Sequence, residues 1–302
     1  MKSPVFTGSS VAIVTPFRGG EIHYEKFRQL LERQITSGTS AITVCGTTGE
    51  SAALSEREHV ALVDFCVQNT AGRVKVIAGS GSNNTETALR FCREAERAGA
   101  DAVLAVTPYY NKTTQAGLIR YYYDLADSIS IPVIAYNVPS RTGMTILPET
   151  YKTLAEHPNI NGVKEASGNI SAITEVLAEC CDSFHVWSGN DSDIVPLMAL
   201  GAKGVISTAA NIIPEAISAI SELCLVGDFE IARSIQLAYS GLIRALFLEV
   251  NPIPVKTAMN LMGLDVGELR SPLCPMRLNT EVKLREELEN AGLLPRAETS
   301  AD

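Results

Sequence analysis

Eight short runs of β-branched and small apolar residues recur along this 302-residue chain at a nearly even pace, at 11–14, 41–44, 74–78, 102–106, 133–136, 160–164, 185–187 and 205–207. Each is apolar along its length instead of alternating, as strands of a parallel sheet covered on both faces read. Helical periods fill the gaps. Ser55 and Glu58 form a capping box ahead of Val60, Leu62, Val63, Cys66 and Val67 at helical spacing, and similar patterns cover 85–98, 116–128, 147–157, 171–180 and 193–200. Strand and helix alternating eight times, at roughly 30 residues per unit, is the arithmetic of a right-handed (β/α)8 TIM barrel of the α/β class, with a doubly wound sheet as the alternative. Helical patterns at 214–225, 229–248, 255–261 and 280–291 follow. The expected organisation is therefore a catalytic barrel over 1–225 and a C-terminal helical extension over 226–302 packed on it, frayed after Leu294.

Charge and composition narrow the functional classes. With 25 basic against 34 acidic side chains, the formal charge of −9 disfavours a nucleic-acid partner. At 46% hydrophobic and 20% charged the chain can bury a large core. It has no apolar run of roughly 18 residues, and Pro4 and the polar stretch Thr7 to Ser10 interrupt the place of a signal core, so a cytoplasmic protein without membrane contact is expected. Seven cysteines are an odd number without CxxC spacing, and Cys45, Cys66, Cys92, Cys180, Cys181 and Cys224 mostly sit among apolar neighbours, which argues against a disulfide framework. His23, His59, His157 and His185 are scattered, so no metal is expected.

In such a barrel the chemistry belongs at the carboxyl ends of the strands, and the unusual residues cluster there. Lys164 ends the sixth run. Period two sends Val163 and Lys164 to opposite faces. If Lys164 points into the barrel mouth, desolvation lowers its pKa and the neutral amine can add to a ketone; otherwise it is a strand-end lysine reaching water. Lys75, Lys203 and Lys256 compete less well: the first opens its strand at the far end, the second lies in a turn, and the third follows Asn251-Pro252-Ile253-Pro254 on a helix. Tyr136 ends the preceding strand and can relay protons if hydroxyl partners hold it, for which Thr47, Thr48 and Tyr110 are placed. Thr47 to Glu50 equally satisfies a capping box, Tyr109-Tyr110 equally suits rim packing, and Tyr121-Tyr122-Tyr123 reads as helix packing. Arg141, after a proline turn in the Tyr136 loop, suits a guanidinium awaiting a carboxylate, or a surface arginine. Gly79-Ser80-Gly81 imitates a dinucleotide loop, but Asn84 stands where its third glycine belongs, so no nicotinamide cofactor is expected.

Gly46-Thr47-Thr48-Gly49-Glu50, Pro108-Tyr109-Tyr110-Asn111-Lys112, Tyr136-Asn137-Val138-Pro139-Ser140-Arg141-Thr142-Gly143 and Gly162-Val163-Lys164-Glu165-Ala166-Ser167-Gly168-Asn169 together resemble the dihydrodipicolinate synthase family, within the wider pyruvate-dependent class I aldolases. The resemblance runs from about Val5 to Leu293. It implies a homotetramer of TIM barrels that condenses pyruvate with L-aspartate 4-semialdehyde on the diaminopimelate route to lysine, with no cofactor beyond a Lys164 imine. It also implies a proton relay of Thr47, Tyr136 and Tyr110, the last supplied across a dimer interface, with Thr48 on the pyruvate carboxylate and Arg141 on the semialdehyde carboxylate. Gly189 and Ile206 would line the pocket through their backbone. Sialic acid and keto-deoxy sugar acid lyases share the lysine, and Arg141 argues against them; leaving it unpaired in a buried site would cost on the order of 2 to 5 kcal/mol. A catalytically silent keto-acid binder would need the Thr47, Tyr136 and Lys164 set to be incomplete, and it is complete.

Regulated members of that family bind lysine at the dimer interface, and Ser51, Ala52, His59, Asn83 and Tyr109 match that pattern. Glu56 stands where many regulated bacterial enzymes have histidine, and Thr87 where a glutamate usually grips the ligand's amine. Losing that charge-assisted bond predicts weak or absent inhibition by lysine. An inhibition curve checks this, and half-inhibition at sub-millimolar lysine would refute it.

Overall fold

Each β-branched run becomes a strand because its side chains pack on both faces, against the barrel interior and against a shell of helices. The structure, a computed structural model, describes residues 2–180 and 183–295. Cys181 and the tail from residue 296 onward lie outside the described residues. The strands are β1 Gly8–Ala12, β2 Ala41–Val44, β3 Lys75–Gly79, β4 Ala102–Val106, β5 Val133–Asn137, β6 Ile160–Glu165, β7 His185–Ser188 and β8 Gly204–Ser207. They pair in parallel, and β1 closes the ring by pairing with both β2 and β8. The expected TIM barrel is the fold; a doubly wound sheet would have left two open edges.

Helix Glu56–Thr70 opens with the expected capping box, Ser55 Oγ accepting from the Glu58 backbone and Glu58 accepting from Ser55 N at 2.8 Å. Two features escaped the sequence reading. A hairpin pairs Phe17–Arg18 with Glu21–Ile22, and helix Tyr24–Thr36 follows, capped by His23, whose ring nitrogen accepts from Lys26 N. Its apolar stripe of Phe27, Leu30 and Leu31 lies among glutamate and arginine that mask it in the linear sequence. The helix expected over 229–248 is two, Phe229–Ala238 and Ser240–Ala245. Past the break Gly241 comes against Glu287 of helix Leu278–Asn290, where a Cβ would meet the carboxylate at 2.2 Å.

Two apolar layers result. Outward residues such as Val11, Ile42, Val103, Ala135 and Val163 pack under the helices, while Phe6, Ile77, Leu104, Ile134, Trp187 and Ile206 fill the barrel. Phe6 stacks on Trp187 at 5.2 Å and accepts its indole N–H, so the amino-terminal segment plugs the bottom of the ring. Five of the cysteines named above, Cys45, Cys66, Cys92, Cys180 and Cys224, are buried. Among the described residues no helix is long and apolar enough to cross a membrane.

One irregularity decides which way the strand-six lysine faces. Ile160 and Val163 are three apart, yet both face the helices. Strict alternation would place them on opposite sides. The register shifts between Val133↔Ile160 and Ile134↔Gly162, leaving Asn161 as an extra residue, a β-bulge. Asn161 is held there by the amino-terminal segment, its Oδ1 accepting from Val5 N at 3.2 Å and its Nδ2 donating to Ser3 O at 2.9 Å. Past the bulge Lys164 pairs with Tyr136 and Trp187, both residues of the barrel interior.

Candidate active site

Lys164 and Tyr136 sit side by side at the carboxyl ends of β6 and β5, 7% and 8% exposed, with Lys164 Nζ 4.5 Å from the centre of the phenol ring. Burial lowers the Lys164 pKa to about 8; the Asp191 carboxylate pulls it back up and the Arg141 guanidinium pushes it further down. At pH 7 a pKa near 8 leaves about a tenth of the amine neutral, against well under a thousandth for an ordinary lysine. Burial raises the Tyr136 phenol, opposed by Arg141 and by a hydrogen bond with the Thr47 side chain, while the Glu165 charge adds to the rise. The phenol is therefore protonated at neutral pH and beside the amine.

The competing lysines are accounted for differently. Lys75 is exposed and paired with Asp101 at 2.7 Å. Lys256, on helix Ile253–Leu261, is more deeply buried than Lys164, at 1% exposed, but its donors are occupied by Glu50 Oε1 at 2.8 Å, Thr15 O at 3.1 Å and Glu268 O. That pairing overturns the capping-box reading of Thr47 to Glu50. The Glu50 carboxylate turns away from its own loop to Lys256 and accepts from Arg270 N at 2.9 Å, and its backbone is left-handed at φ 54°. The glycines of Gly79-Ser80-Gly81 have a packing cause instead of a phosphate: a Cβ at Gly79 would lie 2.1 Å from Cys45 O and one at Gly81 2.2 Å from Val106 N.

Thr48 is buried, its Oγ1 accepting from Asn251 Nδ2 at 2.9 Å and lying 3.4 Å from Thr208 Oγ1. Arg141, in the short helix Pro139–Thr142, is exposed as a residue, and its Nη2 donates to Asn251 O at 3.2 Å. The burial premise behind its expected desolvation cost therefore fails. Gly189 donates its N–H to Glu165 O at 2.7 Å, and a Cβ there would meet Lys164 Cε at 3.1 Å and Ala166 Cβ at 2.7 Å. Only glycine lets the β7 loop lie against the lysine stem. Ile206 is 1% exposed inside the barrel. Tyr110 is not brought to Lys164 within this chain: it is 92% exposed, at φ 67°. Tyr121 and Tyr122 are buried, as the packing reading expected.

A cavity of about 350 Å³ is lined by Thr47, Arg141 and Asn251 together with Ser51, Ala52 and His59. Tyr109 also lines it, while Asn83 does not, its backbone carbonyl accepting from Asn111 Nδ2 at 2.8 Å. His59 stacks on Phe91 at 4.0 Å, and burial lowers its pKa to about 4, so it is neutral at pH 7. Glu56 is engaged by Arg90.

Three further buried polar residues join the site without having been assigned a role from sequence. Asp191, 2% exposed, accepts from Ser207 Oγ and from the Thr208 and Ala209 N–H groups. Glu165, pointing opposite to Lys164, accepts from Asn137 Nδ2, Tyr151 Oη and Ser167 N, clamping β5 to β6 directly behind Lys164 and Tyr136. Asn251 is the third, and its only sequence signal was its place ahead of Pro252 outside the strand and helix periods. An acidic residue at the end of β6 and another three residues past β7 were the signal for the other two.

Residues 5–291 match the profile of the dihydrodipicolinate synthetase family. The chain is 50% identical over 295 residues to the 4-hydroxy-tetrahydrodipicolinate synthase of Thermoanaerobacter sp. (strain X514), covering 97% of this chain and 99% of that one. It superposes on the dihydrodipicolinate synthase of Aquifex aeolicus with a TM-score of 0.93 at 46% identity, covering 95% of this chain and 99% of that one. A chloride-inhibited dihydrodipicolinate synthase from Acinetobacter baumannii, complexed with pyruvate, superposes with a TM-score of 0.94 at 39% identity, over 96% and 100% of the two chains. With the profile spanning nearly its whole length and relatives of half identity from end to end, the chain belongs to the dihydrodipicolinate synthetase family.

Proposed function

We propose that this chain is a Schiff-base synthase of the class I aldolase type that condenses pyruvate, bound as an imine on Lys164, with L-aspartate 4-semialdehyde to give 4-hydroxy-tetrahydrodipicolinate, on the diaminopimelate route to lysine. The observation that carries it is one buried amine of lowered pKa against one buried phenol at the carboxyl end of the barrel. Neutral Lys164 adds to the pyruvate ketone. The Tyr136 hydroxyl gives its proton to the departing carbinolamine oxygen, water leaves, and the resulting phenolate takes a methyl proton to form the enamine. The enamine carbon attacks the semialdehyde aldehyde, whose oxygen takes a proton back from Tyr136. The semialdehyde's neutral amino group then adds to the imine carbon and gives up its two protons, one to the Tyr136 phenolate and one to the departing Lys164 nitrogen, so the ring closes as a cyclic imine and Lys164 leaves as the neutral amine. Thr47 holds the phenol through this cycle, Thr48 takes the pyruvate carboxylate and Arg141 the semialdehyde carboxylate. Gly189 and Ile206 line the pocket through their backbone. The exposure of Tyr110 fits a residue that completes a second subunit's relay, in a cytoplasmic homotetramer. No cofactor beyond the covalent imine enters this cycle.

The test is borohydride reduction with pyruvate followed by mass spectrometry, with coupled assays on aspartate semialdehyde and on N-acetylneuraminate. A reduced pyruvyl group on Lys164 and a strong preference for the semialdehyde are expected; preference for the sugar acid would move the chain to the lyases. A second expectation follows from the Lys164 pKa of about 8. Because the neutral amine is the nucleophile, kcat/KM for pyruvate should rise with pH, close to tenfold per unit below 8, and level off above it. A profile flat from pH 6.5 to 9, or one still climbing toward the ordinary lysine range, would contradict it.

A further inference from the structure

Asn251 lies beyond the eight strands, just ahead of helix Ile253–Leu261, yet is only 6% exposed. It touches both residues read above as carboxylate binders. Its side-chain Nδ2 donates to Thr48 Oγ1 at 2.9 Å, and its backbone carbonyl accepts from Arg141 Nη2 at 3.2 Å. Its Oδ1 is buried without a partner among the described residues. An apolar residue of similar volume would avoid that loss, so packing alone does not account for an amide here.

The direction of the Thr48 bond gives the amide its use. A hydroxyl has one proton and two lone pairs. With Asn251 donating into Thr48 Oγ1, the threonine's own proton has to point elsewhere. Among the described residues its one other hydrogen-bond partner, Thr208 Oγ1, is 3.4 Å away, which is long for O–H···O. A carboxylate oxygen arriving at ordinary distance is the stronger acceptor.

We propose that Asn251 is a positioning residue: its amide turns the Thr48 hydroxyl outward as a donor to the pyruvate carboxylate, while its backbone holds Arg141 for the second substrate. This rests on the imine reading of Lys164. The C-terminal segment thereby sets both carboxylate subsites of the barrel.

The test follows the borohydride-trapped pyruvyl adduct by intact mass against pyruvate concentration, in the unmodified chain and in Asn251→Ala, Asn251→Asp, Thr48→Val and the Thr48→Val/Asn251→Ala double variant. Asn251→Ala should raise half-saturating pyruvate about tenfold, the loss of one hydrogen bond to a charged group. Asn251→Asp should raise it further, because a carboxylate accepts the Thr48 proton and repels the substrate. In the Thr48→Val background, Asn251→Ala should add nothing. The KM for the semialdehyde should change by less than about twofold in Asn251→Ala, which keeps the backbone carbonyl on Arg141. A shape-filling role predicts the reverse order, with the isosteric Asp milder than Ala, and that order, or shifts that multiply in the double variant, would overturn the proposal. If Ala fails to fold, the Asp and Thr48→Val variants decide it. No adduct in the unmodified chain would instead remove the imine reading itself.

Discussion

Replacing Lys164 with alanine is expected to lower kcat by on the order of 10⁴-fold, to abolish the borohydride-trapped pyruvyl adduct, and to leave thermal stability unchanged or slightly higher. The activity loss follows because no other lysine can substitute. Lys256 is committed to Glu50 and two carbonyls, and Lys75 is paired at the surface on the opening residue of β3. The stability sign follows from the same burial that lowers the Lys164 pKa to about 8: the folded state disfavours this charge, so removing it relieves a cost. Catalysis and stability thus move apart, as they do at sites where strain serves function. Retention of kcat within tenfold of the unmodified enzyme, or an adduct still forming on the alanine variant, would sink the assignment.

Lys256→Met is expected to do the opposite, destabilising the fold strongly. The ammonium is 1% exposed and the Glu50 carboxylate it serves is buried at 4%. Removing it leaves Glu50, among the described residues, with the Arg270 N–H as its remaining donor. Stranding one member of a buried pair costs roughly 3 to 5 kcal/mol, which in a chain of this size lowers the thermal midpoint by about 5 to 8 °C. Glu50 ends the loop that carries Thr47 and Thr48, so activity should fall as well. In the Lys256→Met/Glu50→Gln double variant, much of the stability should return because no buried charge is left unpaired. Thermal unfolding of the three variants checks this, and a midpoint for Lys256→Met within about 2 °C of the parent would show that the pair contributes little.

The pair also explains a weakness of linear reading. Glu50 and Lys256 are each ordinary in their own segment, one three residues past a threonine and one on a helix, and the sequence offers no sign that they meet. Long-range pairing of single charges has no period. The same holds for Asn251 with Thr48 and for Asp191 with Ser207. Arg141 was legible as a candidate carboxylate binder by type and loop, but its exposure was not, because exposure depends on what the C-terminal helices cover.

What the chain's own order of residues determined is the repeating β-branched run, the helical period between runs, and therefore the closed parallel ring, since both are local properties that each segment carries alone. It also determined that a lysine and a tyrosine close the sixth and fifth runs and that two threonines lie in the loop after the second. Tertiary structure decided which way they face. With Ile160 facing the helices, unbroken alternation along β6 would turn Lys164 toward them too; the extra residue Asn161, fixed by Ser3 and Val5 from the far end of the barrel, turns it inward beside Tyr136. Pleating alternates faces residue by residue, so one inserted residue inverts everything after it, and only a partner distant in sequence can specify where that insertion is held.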